Sequence, residues 1–510
     1  MSRMLALRLW PAERWLRVPA GTRLQDALFP QGVEFPCGGH GTCRGCRVKV
    51  LQGVLPPGEE ERSLLTADEL AQGWRLACRH AIAGDLELEL AQWEMEVLSD
   101  QSTFTFTPRA GLGAAIDLGT TTLAAQLLDL KTGTVLASTM ALNGQARHGS
   151  DIMSRVEYAV RGGQKELERL IRQQLGKMVE ELLSESSAAA GQRRIDRPAT
   201  DELTRVMIVG NTVMHHLFCG VSVAPLAGYP FQPRQPGRFQ FSPADLDWNL
   251  PRETVVEFLP CLGGFVGADI LAGIVATGLH ESREWVALMD LGTNGEVVVG
   301  NRERLLCTST AAGPAFEGAR IAMGMRAATG AISGVQVRNG ALACHVLGGG
   351  APRGLCGSGL VDAVAAGLDL RRILPNGRMM PDAPLPLAGT VSLLPADVRE
   401  LQLAKGAIAT GLRVLAARFG LEPGGLRRLH LAGAFGNYIN RTSAQRIGLL
   451  RLPADRIVPA GNSALLGAKR SLFEDTARWD VIRNRVEVIA LNEEPAFEEI
   501  YAEEMQFPAQ

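Results

Sequence analysis

The chain lacks several features that would settle its class early. No run of about 18 or more apolar residues occurs, so no membrane-spanning helix is expected. Lys and Arg number 52 against 54 Asp and Glu, a net charge of −2, which removes the basic excess that draws proteins to nucleic acid or anionic membrane. There is no GxxxxGK[ST] stretch, which excludes a P-loop nucleotide site. His148, His215, His216 and His345 are dispersed without ligand spacing and read as structural. The opening MSRMLALRLWPAERW has early arginines but no uninterrupted apolar core or small-residue cleavage site; it reads as a first strand, not a signal peptide. At 510 residues, with 46% hydrophobic content, the chain can bury sizeable cores in about three domains.

Nine cysteines are present, and four of them are patterned. Cys37, Cys43 and Cys46 stand in PCGGHGTCRGC with the spacing C-x5-C-x2-C, and Cys78 follows after 31 residues in WRLAC. Three thiolates on one glycine-rich loop and a fourth from a distant segment is how a chain wraps a [2Fe–2S] cluster. Gly38, Gly39, Gly41 and Gly45 let such a loop curl tightly and aim backbone N–H groups at sulfur. Cys219, Cys261, Cys307, Cys344 and Cys356 are scattered and read as buried small hydrophobes in a reducing cytoplasm.

Residues 1–97 form a first unit. LALRLW and VKVLQG read as strands, LELELAQ alternates at period two, and TADEL starts a helix with Thr66 as N-cap. Strands around a short helix, with a cysteine loop between them, resemble a plant-type ferredoxin of the β-grasp fold. One departure is the five residues between Cys37 and Cys43, where plant-type ferredoxins usually have four. Residues 98–112 are polar, threonine-rich and carry Pro108, which predicts a linker. From Gly113 strands and helices alternate, the mark of α/β architecture. Residues 154–184 read as a long amphipathic helical region, 185–200 as a loop, 223–255 as irregular, and 476–510 as a C-terminal strand and tail segment.

Within 113–475 the pattern restarts. Asp117-Leu118-Gly119-Thr120-Thr121 recurs as Asp290-Leu291-Gly292-Thr293-Asn294, each between two strands, dividing the region into halves of about 113–255 and 256–475. Glycine admits a phosphate close to the backbone, and threonine hydroxyls and successive N–H groups donate to its oxygens. Aspartate at the strand end can hold Mg2+ through water or orient an attacking water. A single such turn is also common in ordinary hairpins; two copies in the same context point to a site. LHLAGAFGN (429–437) runs a buried strand into Gly433 and Gly436, where small residues admit an adenosine ring. Asp269 and Glu317 are further carboxylates able to face a magnesium ion; a solvated turn acid and a helix-start charge explain them equally well.

Together these three elements resemble the actin, heat-shock-chaperone and sugar-kinase superfamily, with its duplicated RNase H-like ATPase fold. The whole chain, through CGGHGTCRGC, DLGTTT, DLGTNGE, AAGPAFEG, GMRA, LCGSGLVD and LAGAFGNYIN, resembles the reductive activators of corrinoid proteins. That resemblance implies an α/β multidomain protein, a β-grasp ferredoxin-like domain followed by the duplicated ATPase domain. It implies one-electron, ATP-dependent reduction of a Co(II) corrinoid to Co(I) on a corrinoid protein or corrinoid-dependent methyltransferase. Cys37, Cys43, Cys46 and Cys78 would hold the [2Fe–2S] cluster. Asp117 with Gly119, Thr120 and Thr121, Asp290 with Gly292, Thr293, Asn294 and Gly295, and Gly433 with Gly436 would bind ATP and Mg2+. A cytoplasmic homodimer with an unidentified electron donor is implied as well. Two other readings stay open on the residues alone: an ATP-driven donor to a different low-potential metalloenzyme, and a redox-sensing regulator with an ATPase-like switch.

Overall fold

The computed structural model describes residues 3–10, 14–31, 33, 35, 39–42, 44, 46–90, 104–149, 151–189, 203–292, 294–318 and 320–509. Cys37, Cys43 and Thr293 lie outside them, as do residues 98–103 and 190–200 of the expected connections.

In the first unit Met4–Trp10 turns Leu5, Leu7 and Leu9 inward and its intervening residues outward, as a half-buried strand must. It pairs antiparallel with Arg14–Pro19 and parallel with Leu86–Leu90, and Arg47–Gln52 pairs antiparallel with both Leu86–Leu90 and Trp74–Leu76. Helix Leu24–Leu28 lays its fully buried Leu24 and Leu28 on this five-stranded sheet, the β-grasp arrangement expected. Thr66 caps helix Ala67–Ala71 reciprocally: its hydroxyl accepts from the Glu69 N–H at 3.2 Å, and Glu69 accepts from the Thr66 N–H at 2.8 Å.

The remainder holds two six-stranded sheets. In the first, Leu112–Leu118 pairs antiparallel with Thr122–Asp129, which pairs with Val135–Leu142; on its other side it pairs parallel with Leu203–Gly210. In the second, Val286–Leu291 pairs antiparallel with Gly295–Gly300, which pairs with Leu305–Thr310; on its other side it pairs parallel with Arg428–Ala432. The repeated Asp-Leu-Gly-Thr turn therefore marks a repeated topology. Val255–Phe258 belongs to the first sheet, parallel to Leu203–Gly210. Within 476–510, Val486–Val488 extends the second sheet beside Leu305–Thr310, and Phe497–Met505 packs on the long helix Pro395–Ala417.

The helical region expected over 154–184 is broken. Ile152–Tyr158 and Gln164–Ala189 flank a single wide turn in which Gly162 adopts φ 105°, a conformation that only glycine takes without strain. The second helix runs to Ala189, so the expected loop starts later than its polar composition suggested. In the expected linker, Phe104 and Phe106 pack against Phe473, at 5.6 and 4.4 Å between ring centroids, so this end is anchored on the ATPase-like part.

Two helices lock the halves together. Ser463–Ser471 follows the second sheet's Ile457–Gly461 yet packs on Ala268–Thr277 and on the strands Leu112–Leu118 and Leu203–Gly210 of the first sheet. The crossing is close because Gly467 has no side chain; a Cβ there would fall 2.3 Å from the Ala272 carbonyl oxygen. Gly467→Val is expected to force the helices apart and destabilise the protein by about 1–3 kcal/mol, seen as a lowered urea midpoint at unchanged slope.

Candidate functional site

The cysteine loop is closed by the ladder between Arg47–Gln52 and Trp74–Leu76. Its register continues past the strand ends, where the Ala77 N–H donates to the Cys46 carbonyl at 3.0 Å. Cys46 and Cys78 thereby sit buried at one end of the sheet. Gly39 and Gly41 both adopt positive φ, and added side chains would strike Gln25 and Arg79. Beneath Cys78 lies Glu61, fully buried. One of its oxygens accepts from the Leu76 N–H at 2.6 Å and meets His80 Nε2 at 2.9 Å; the other accepts from the Gly58 N–H at 2.8 Å. Burial alone would raise its pKa, but the bonds from His80, Leu76 and Gly58 outweigh that and hold the carboxyl below its ordinary value. Glu61 and His80 escaped the sequence analysis, since neither carries a pattern of its own.

A cavity of about 390 Å3 opens between the two sheets. Asp117, Gly119, Thr120 and Thr121 line it from the first half; Asp290, Gly292, Asn294 and Gly433 line it from the second. Gly295 and Gly436 lie outside the lining: Gly295 packs against Ile408 and Thr310, and Gly436 against Leu431. The first turn is held by its carbonyls. Asn143 donates from its side chain to Gly119 O at 2.9 Å and from its backbone to Thr121 O at 2.8 Å, and the buried Arg155 donates to Thr120 O at 2.5 Å. Asn211 donates to the Thr120 hydroxyl at 2.9 Å while capping helix Thr212–Cys219. With its carbonyls engaged from behind, the turn leaves its other face to the cavity. Gly433, at φ 84°, packs directly on the second turn, and a Cβ there would fall 2.7 Å from the Asp290 carboxylate.

Four carboxylates converge here. Asp269 and Glu296 join Asp117 and Asp290 in the lining, so Asp269 is no solvated turn acid. Desolvation deep in the cleft pushes Asp117 up to about 6, opposed by the bond it accepts from Asn462 Nδ2 at 2.9 Å. Asp290 rises to about 7 through desolvation and then the charge of Asp117. Asp269 rises to about 7 through desolvation, then Asp117 and Asp290; Glu296 is raised well above its ordinary value by desolvation, then by Asp269 and Asp290, against the bond from Ser309. Glu317 also lines the cavity, and Phe316 and Phe435 stack at its rim with centroids 4.6 Å apart. Among the described residues no three His, Cys, Asp or Glu side chains stand close enough to hold a metal by themselves. That suits Mg2+, which binds through one or two carboxylates, its own waters and substrate phosphates. Asn143, Arg155, Asn211, Asn462 and Glu296 were not foreseen. His215 and His216 are core residues, with Nδ1 atoms 3.2 Å apart and both pKa values lowered by burial.

Residues 11–83 match the 2Fe-2S iron-sulfur cluster binding domain, residues 112–282 the RACo middle region, and residues 284–510 the C-terminal domain of RACo, the ASKHA domain. The chain is 33% identical over 421 residues to the corrinoid activation enzyme RamQ of Eubacterium limosum, spanning 76% of this chain and 69% of that one. It is 27% identical over 400 residues to a [Co(II) methylated amine-specific corrinoid protein] reductase of Methanosarcina barkeri, spanning 72% and 71%. The solved structure of a reductive activator for corrinoid,iron-sulfur protein superimposes with a TM-score of 0.67 at 24% identity, covering 99% of this chain and 98% of that one. A ferredoxin unit, a duplicated fold around a two-turn cleft and these relatives agree: the chain belongs to the family of reductive activators of corrinoid proteins.

Proposed function

We propose that this protein uses ATP to return an oxidised corrinoid on a partner protein to its working state. The substrate is a Co(II) corrinoid held by a corrinoid protein or methyltransferase; it takes one electron and becomes Co(I). The observation that carries the reading is the presence in one chain of a cysteine-loop ferredoxin unit and a cleft where two matching turns, carrying Asp117 and Asp290, meet Asp269 and Glu296. Neither part explains the other unless nucleotide governs electron delivery.

Cys37, Cys43, Cys46 and Cys78 would hold a [2Fe–2S] cluster, which when bound carries one electron at a time. Around it the chain's part is positioning: the ladder to Ala77 sets Cys46 against Cys78, and Glu61 pins the strand end beside Cys78. In the cleft, Thr120, Thr121 and the backbone of both turns donate to nucleotide phosphates, while Gly119, Gly292 and Gly433 keep the backbone within reach. Asp117 and Asp290 would hold Mg2+, which would supply charge neutralisation to the phosphates, and either carboxylate can orient an attacking water. The raised pKa values support this role, because carboxylates that repel one another are stabilised by a cation. Among the described residues no helix is long and apolar enough to cross a membrane. We read the protein as a cytoplasmic homodimer served by a separate electron donor; thiolate chemistry suited to a reducing compartment and the family resemblance support this.

The direct experiment is anaerobic: reduced protein, Mg-ATP and a Co(II) corrinoid protein, followed by Co(I) absorbance. Cys46→Ser is expected to abolish reduction. Asp290→Ala is expected to leave the cluster spectrum intact while lowering ATP-dependent reduction by about 10²-fold or more. Full ATP-dependent activity in Asp290→Ala would remove the second turn from the nucleotide site. A [4Fe–4S] EPR signal would favour a different reductive target, and nucleotide- and redox-dependent partner binding without turnover would favour a regulator.

Proton linkage gives a second check. Carboxylates raised to about 6 and 7 keep protons in the folded state that the unfolded chain has already lost. Their contribution to stability is therefore present at low pH and lost as pH rises from about 4 through their folded pKa values. Mg-ATP engages the charged forms, so the gain in Tm on adding it is expected to be larger near pH 7.5 than near pH 5.5, with Asp290→Asn narrowing the difference. Equal gains at both pH values in calorimetric scans would contradict the assignment.

A further inference from the structure

The ferredoxin unit rests on both halves of the ATPase domain. On the first half, Leu142 is buried among the unit's own core residues and Ala146 packs beside it. The Arg147 guanidinium lies over the Phe29 ring, 4.9 Å from its centroid. On the second half, Arg353 pairs with Glu89 of the strand Leu86–Leu90. Each contact stands next to the nucleotide cavity. Asn143, directly after Leu142, holds the carbonyls of Gly119 and Thr121. Arg353 immediately precedes Gly354–Leu355. Leu355 accepts from the Met325 N–H at 3.0 Å, next to Arg326 in the lining, and is followed by Cys356, Gly357 and Ser358, also in the lining.

We propose that the 142–147 segment and Arg353 form a docking surface for this chain's own ferredoxin unit, which thereby clasps the two halves across the nucleotide cleft. The inference rests on the reading that the cavity takes Mg-ATP. A clasp with one foot on each half fits a single cleft opening, the one at which Arg353 meets Glu89 and Arg147 lies over Phe29. Nucleotide bound between the two turns sets the opening by its own contacts with both halves. A nucleotide-set opening that parts the halves differently from this one strains at least one foot. Mg-ATP therefore weakens docking and frees the cluster-bearing unit to meet a partner, and by reciprocity undocking tightens Mg-ATP. This supplies a physical route from nucleotide to electron delivery that needs no contact between the two cofactors.

The cluster-loaded full-length chain tests it by calorimetric titration with Mg-ATP and by small-angle X-ray scattering. Arg353→Glu and Glu89→Arg, neither of which is in the cysteine loop or the cavity lining, are each expected to tighten Mg-ATP by about two- to fivefold, the range a part-exposed ion pair supports. The double variant E89R/R353E restores the pair in reverse and is expected to return the affinity to the wild-type value, which also shows that neither side chain is needed for folding. Arg147→Ala acts on the other foot in the same direction. In scattering, Mg-ATP enlarges the wild-type radius of gyration, and R353E is already enlarged without nucleotide. Unchanged affinity in the single variants, or no recovery in the double variant, overturns the clasp. A wild-type chain that binds no Mg-ATP defeats the assignment of the cavity instead; docking is then decided by the nucleotide-free radius, and equal radii for wild type and R353E overturn it.

Discussion

Like charges held close in a poorly solvated place shape this molecule more than any other interaction. Asp117, Asp269, Asp290 and Glu296 come from separate elements of both halves and meet in one cleft. Burial raises the cost of ionising all four, and the charges of Asp117, Asp269 and Asp290 add to it at their neighbours. Protons or a cation must answer such an arrangement, which supports the proposal of a magnesium-bearing polyphosphate in the cleft. The surrounding structure follows from that need. Glycine at 433 keeps a side chain away from the Asp290 carboxylate, Asn462 donates to Asp117, and Asn143 and Arg155 secure the first turn from behind.

The ferredoxin unit solves a different problem with the same economy of parts. Its sheet brings two cysteines from distant segments to one end, and the glycine-rich loop closes against the packed side chains of Gln25 and Arg79. The unit has its own hydrophobic core, yet that core takes in Leu142 from the ATPase domain. A shared buried residue and contacts on both halves make the unit responsive to the cleft, which a freely tethered carrier would not be.

Much of this was legible in the residues. The cysteine spacing named the cluster unit, and the repeated Asp-Leu-Gly-Thr turn identified both the duplication and the cleft, because a turn that admits phosphate needs glycine and small donors at fixed positions. The strands around both turns were read correctly, since their long apolar runs leave little choice. Trp74–Leu76 was not readable, being too short to show a period, and neither was Arg14–Pro19, whose alternation rests on the half-buried Leu16 and Val18 alone. The break at Gly162 was hidden inside a pattern that remained amphipathic on both sides.

By itself the sequence determined the kinds of chemistry: thiolates for iron and sulfur, paired turns for phosphate, and an even charge balance that points to neither nucleic acid nor membrane. Local pattern suffices there, because the cysteine loop and each turn are short motifs whose residues stand a few positions apart, with Cys78 the exception. Only the tertiary structure decided which carboxylates face one another, that Asn462 answers Asp117 from the other half, and that Arg147 and Arg353 both reach the ferredoxin unit. Those pairings join separate elements, in the case of Asn462 and Asp117 across 345 positions, and no local period records them. They exist because the sheets, the crossing helices at Gly467 and the docked unit bring their surfaces within a few ångströms, and at that range burial and charge set the energies.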